Sequence, residues 1–220
     1  MYFCKTFFRP IILFDAMSKT KGILYAAVSS STFGLAPFFS IMLLTTGFSS
    51  FEVLSYRWGV ASATLILFGL ISGCSFRLNK KDFGTVFLLS LFRAATSLSL
   101  VIAYQNIASG VASIIHFMYP LAVALAMMLF FHEKKSLWTI TAILASIAGA
   151  VFLSSGDISH SGGNTTVGII AACISVFSYG GYIIGVRKSR AVQINSTVLT
   201  CYVMGIGALL FIICDSFTSG

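Results

Sequence analysis

Two arginines, one histidine and a tyrosine–proline pair stand inside long apolar runs of this 220-residue chain. Ionisable groups in such runs are costly and mark functional positions by default. Arg93 lies ten residues into the run 83–105, which as a helix puts it about 15 Å deep. That is the middle of a hydrocarbon layer about 30 Å thick. The position costs about 2.5–3.5 kcal/mol on an insertion scale, and snorkelling to either surface is difficult. The guanidinium is expected to face a polar cavity and to meet an anionic ligand or a protein partner. The competing role is an arginine fixed to backbone carbonyls between helices. His116, Tyr119 and Pro120, in the run 110–131, fall about 9–15 Å from the opposite surface, in the layer of Arg93. Pro120 lacks the N–H that would bond the His116 carbonyl and permits a kink. Carbonyls freed in this way line transporter cavities. His116 is the group of that layer whose unperturbed pKa is near neutrality, with hydrogen-bonded packing as its alternative role. Arg57, four residues into the run 53–73, is close enough to the outer surface to snorkel. Glu52 is its nearby acidic partner, so anchoring competes with substrate contact. Arg93, His116, Tyr119, Pro120 and Arg57 are the candidate substrate-binding residues.

Other chemistries lack their residues. No run holds a central Asp or Glu for a carboxylate proton relay or an intramembrane aspartyl protease, and none holds a lysine for a Schiff base. His132-Glu133-Lys134-Lys135 lacks the second histidine of a metal-binding HExxH pair. Glu133 reads as a structural carboxylate at a helix end. There is no Walker or GxGxxG loop for a nucleotide. No catalytic residue, metal site or cofactor is expected, and the chain is not read as an enzyme.

The elements that must position these residues follow from composition. Hydrophobic residues make up 57% and charged residues 9%, against about 25% charged in a soluble domain. Lipid must therefore be the solvent. Seven runs are long enough to cross it as helices: 22–44, 53–73, 83–105, 110–131, 136–154, 166–186 and 196–214. Helices are required because backbone groups in lipid must pair within their own segment. The fold class is all-α, a polytopic membrane helix bundle. Small residues recur inside the runs, with Gly181 and Gly185 at GxxxG spacing. Twelve of the fourteen cations fall in every second gap: Lys5 to Lys21, Arg77 to Lys81, Lys134–Lys135 and Arg187 to Arg190. The gaps between carry Glu52, Asp157 and Asp215 and no cation. The positive-inside rule then places the N-terminus in the cytoplasm. The net charge of +8 is dealt to four loops rather than to one face, which argues against nucleic acid as a partner. The five cysteines have no CxxC spacing and read as small hydrophobes.

An offset of 146 residues aligns GILYAAVSSSTFG (22–34) with GIIAACISVFSYG (168–180), and pairs Tyr56 with Tyr202 and Gly59 with Gly205. Five crossings are odd in number, so a second copy enters from the opposite side. That is the logic of inverted-repeat transporters. Four further features carry a resemblance: Lys21-Gly22-Ile23-Leu24-Tyr25 with Phe33-Gly34 in the first run, Arg57-Trp58 in the second, Tyr119-Pro120 with Glu133-Lys134 in the fourth, and Gly149 to Gly156 closing the fifth. From Lys21 onward the chain resembles the EamA-type permeases of the drug/metabolite transporter superfamily. The resemblance implies ten spans in two five-helix repeats, of which seven are found, so a truncated product is expected. The corresponding organisation is a cytoplasmic segment 1–21, a first repeat 22–154, an extracytoplasmic linker 155–165 and a partial second repeat 166–220. Met17 is an expected alternative start. The implied function is a secondary transporter, an exporter of small metabolites or amino-acid-like solutes by alternating access in the inner membrane. Arg93 adds a preference for anionic solutes. The alternative is a non-transporting seven-helix bundle or assembly partner. Beyond substrate and lipid, a homodimer stays open as an assembly state.

Overall fold

The computed structural model describes residues 19–131 and 163–218, with isolated positions between them at 141, 145, 148, 149 and 152. The described residues are helical: α1 (Lys19–Thr45), α2 (Ser50–Ile71), α3 (Lys80–Asn106), α4 (Ser109–His116), α5 (Tyr119–Phe130), α6 (Thr165–Lys188), a 3-10 turn at Arg190–Gln193 and α7 (Ser196–Thr218). Five helical segments are long and apolar enough to cross a membrane: Ser50–Ile71, Asp82–Asn106, Ser109–Phe130, Thr165–Lys188 and Ser196–Thr218. The expected first span coincides with α1. The expected span 136–154 lies outside the described residues apart from the isolated positions.

Local chemistry sets the helix ends. Ser49 caps α2 by accepting from the Glu52 N–H at 3.0 Å, and the Glu52 carboxylate accepts from the Ser49 N–H at 2.7 Å. This capping box satisfies two donors that the first turn leaves open. Glu52 is therefore a cap, not the partner of Arg57 expected from its position in sequence. At the other end Gly73 takes φ +65°, a left-handed conformation that suits glycine and ends the helix. The N–H of Cys74 then bonds back to the Gly69 carbonyl at 2.8 Å.

The helices pack in two main pairs, α2 along α7 and α3 along α6, with α3 also against α7 and α6 against α4 and α5. The core is correspondingly split. Leu54, Trp58, Ala94, Val101, Ala208 and Phe211 join α2, α3 and α7. Ala103, Tyr104, Ile107, Ala112, Ala171 and Ala172 join α3, α4 and α6. Helix α3 contributes to both and is the axis of the bundle. Close approach needs small residues. A Cβ at Gly185 would stand 2.7 Å from Leu89 Cδ2, and one at Gly207 would collide with the Trp58 ring. The GxxxG pair thus faces α3, as small residues do at membrane helix contacts. Buried hydroxyls tie the helices together: within the first pair Ser62 donates to the Cys201 carbonyl at 3.2 Å, and between the pairs Ser90 donates to that of Val203 at 2.8 Å.

The outer face is apolar. Leu88, Ile170, Phe177, Leu209 and Phe217 are exposed, and Cys173 and Cys214 join them on that face rather than in the core. In water this surface would drive association, and in a bilayer it meets acyl chains. The charge alternation has a spatial counterpart. Arg77, Asp82 and Arg190 line one polar recess at one end of the bundle. At the opposite end Ser49 donates to the Asp215 carboxylate at 2.7 Å.

Candidate functional site

Arg93 stands thirteen residues from either end of the 27-residue α3, so it lies about 20 Å along the helix from both. This is a central position in the helix. Its Cζ sits 5.0 Å from the centroid of Tyr179 on α6 and 6.0 Å from that of Trp58 on α2. These are cation–π distances. No hydrogen bond or ion pair reaches Arg93 from the described residues. A guanidinium has five N–H donors, and aromatic faces satisfy none of them as hydrogen bonds.

Arg93 lies on the wall of a cavity of about 60 Å³, with Pro37, Arg57, Thr96, Tyr104 and His116. Among the described residues no carboxylate is on that wall. Two guanidiniums therefore share a small space with no fixed countercharge among the described residues. Arg57 points inward from α2, donating to Ser40 Oγ on α1 at 2.6 Å, and Ser40 is 0% exposed. The expected outward, snorkelling arginine is thus drawn into the bundle, where buried Ser40 offers an acceptor and Glu52 is occupied at the cap.

His116 closes α4 and is 3% exposed. Its Nδ1 lies 3.0 Å from Ser175 Oγ on α6. Its ring is 5.7 Å from Tyr119 and 5.4 Å from Tyr179. Tyr119 meets Tyr179 edge-on at 4.5 Å, and Tyr179 stacks on Tyr182 at 5.8 Å. The aromatic group Trp58, Tyr119, Tyr179 and Tyr182 therefore surrounds the polar centre and ties α2, α5 and α6 to it. Tyr119 belongs to this group and does not line the cavity itself.

Pro120 is exposed and also off the cavity wall. Its effect is on the backbone. The segment 109–130 breaks at Phe117–Met118, directly before a proline at the start of α5. The N–H groups of Phe117 and Met118 bond to Ser113 and Ile115. The N–H that would have reached the His116 carbonyl is the one that Pro120 lacks. Pro37 has the same consequence within α1 and sits on the cavity wall.

The structure brings Arg93, His116 and Arg57 to one cavity, with Tyr119 beside it and Pro120 acting through the chain. The sequence reading missed Trp58, Tyr179, Ser175, Ser40 and Tyr104. Trp58 had a signal, its place beside Arg57, and Tyr179 faced Phe33 in the repeat alignment. The serines had none, because small hydroxyls are frequent throughout the runs.

No match was found among curated proteins or among solved structures. The model of the EamA-like transporter family matches residues 20–155. That stretch covers more than half of the chain and contains α1 to α5, Arg57, Arg93 and His116. The chain therefore belongs to the EamA-like transporter family, a family of multi-pass membrane transporters rather than enzymes.

Proposed function

We propose that this protein is a secondary transporter that exports small anionic metabolites, amino-acid-like solutes among them, across the inner membrane by alternating access. The N-terminus is cytoplasmic in this reading. The observation that carries it is Arg93: a permanently charged group at mid-membrane, with no hydrogen-bonding partner among the described residues, on a wall shared with Arg57. Low dielectric makes an uncompensated charge there expensive, and an anionic solute supplies the compensation. Trp58 and Tyr179 hold the guanidinium in place between visits by weaker cation–π contacts.

The helix register supports the moving parts. Ser50 and Ser196 open α2 and α7 and are 146 positions apart, the offset of the sequence repeat. Counterpart helices α2 and α7 pack on each other. Ser62 meets Gly205, the counterpart of Gly59, and Trp58 meets Gly207, the counterpart of Ala61. Contacts of that kind are what an axis relating two inverted copies would produce, and Arg93 stands 6.0 Å from the Trp58 ring.

Counterflow into proteoliposomes tests the reading. Vesicles preloaded with an unlabelled small carboxylate should accumulate the labelled form, and Arg93→Gln should abolish this. Counterflow retained by Arg93→Gln contradicts the role of Arg93. A folded chain that binds carboxylates without counterflow moves the assignment to a non-transporting bundle.

A further inference from the structure

His116 adds information about what the anion must look like. Ser175 Oγ donates to the Ala172 carbonyl at 2.6 Å. A hydroxyl has one proton, so toward His116 Nδ1, 3.0 Å away, Ser175 acts as acceptor. Nδ1 therefore carries a hydrogen, and in the neutral ring Nε2 carries the open lone pair. No described residue bonds to Nε2. Nor is it sealed in, since Asp82 Oδ1 is the sealed side-chain polar atom without a hydrogen bond among the described residues. His116 lines the cavity of Arg57 and Arg93, and with Nδ1 turned to Ser175 the ring edge left to meet that space is the one that carries Nε2.

Besides the hydroxyls of Thr96, Ser97 and Tyr104, which can both donate and accept, the wall pairs two groups that only donate with one that, in the neutral ring, offers only an acceptor. We infer that His116 selects, among small anions, those carrying a hydroxyl or ammonium hydrogen next to the acidic group. Ser175 is the positioning residue that fixes the tautomer. This inference rests on the anion-binding reading above. The space supports a compact head group: about 60 Å³ is room for only a few waters. A donor close to the acid suits that space. A ring locked by Ser175 cannot turn Nε2 into a donor while neutral, so an anion that offers only acceptors leaves that lone pair unpaired.

The test uses the full chain in lipid nanodiscs, titrated with acetate, glycolate and methoxyacetate. All three carry a carboxylate, and glycolate alone presents an adjacent O–H. Glycolate is expected to bind about tenfold more tightly than methoxyacetate, the value of one hydrogen bond of about 1.4 kcal/mol. The ratio should fall toward one in Ser175→Ala and in His116→Phe. A ratio near one in the wild type overturns the inference and leaves the anion site standing. So does a ratio that both variants preserve, because size exclusion alone would persist. Failure of all three acids to bind overturns the anion site and the inference together. If the variants do not fold, nitrogen-15 spectra of histidine in the wild type decide the matter. The neutral His116 ring should be protonated at Nδ1, and protonation at Nε2 would contradict the argument.

Discussion

Replacing Arg93 with methionine separates a binding arginine from a structural one, because the two terms oppose each other. The variant loses two cation–π contacts, at 5.0 and 6.0 Å, worth about 1–2 kcal/mol each in a desolvated setting. It also removes a mid-membrane charge that costs about 2.5–3.5 kcal/mol. Methionine keeps an unbranched apolar stem against the same rings. The net change in stability is therefore within about 2 kcal/mol of zero, or roughly 4–8 °C in melting temperature for a chain of this size. Anion affinity has no such compensation. Charge-assisted hydrogen bonds contribute about 1.5–3 kcal/mol each, so losing one or two weakens binding by about 10-fold to 20,000-fold. The assay is a melting curve and a carboxylate titration on the same nanodisc sample. A variant that melts some 15 °C lower would show that the guanidinium holds the bundle together. A variant with wild-type affinity would show that it holds no ligand.

Three further outcomes follow from the packing and the topology. Gly207→Ala places a methyl into the Trp58 ring, which is 5% exposed and pinned edge-on at 5.4 Å by Phe211. Overpacking of this kind costs about 1–3 kcal/mol, read as a lower melting temperature, whereas an unchanged melt would mean that α2 and α7 are not in close contact. Ser49→Ala removes both the α2 cap and the bond to Asp215. It should destabilise by about 1 kcal/mol and leave anion affinity unchanged, since the cavity is elsewhere. In a background without native cysteines, Thr46→Cys should react with an impermeant maleimide on intact cells and Arg77→Cys should not. The opposite pattern would invert the topology.

The helices were legible because length and apolarity alone decide them in lipid. The expected run 53–73 became Ser50–Ile71, and 196–214 became Ser196–Thr218. Depth was legible for the same reason, and Arg93 lies centrally in its helix as counted. Facing was not. A helix that is apolar on every side gives no stripe to distinguish lipid from neighbour, so nothing in α2 said whether Arg57 turned outward to Glu52 or inward to Ser40. The ring contacts of Tyr179 join elements more than fifty residues apart and depend on how α6 lies against α3 and α5. Ser175 acquires meaning only through His116 across that interface. Proline was half legible: the break before Pro120 follows from its missing N–H, while its outward position depends on packing.

The central claim is that the cavity of Arg57 and Arg93 binds an anion. Acetate and acetamide are nearly the same in shape and differ in charge. The direct measurement is the melting temperature of the wild-type chain in nanodiscs, titrated with each. With acetate at a hundred times its dissociation constant, binding adds about 2.7 kcal/mol, a rise of roughly 5–11 °C. Acetamide at the same concentration should leave the curve in place. Equal shifts from both, or none from acetate, would contradict the account.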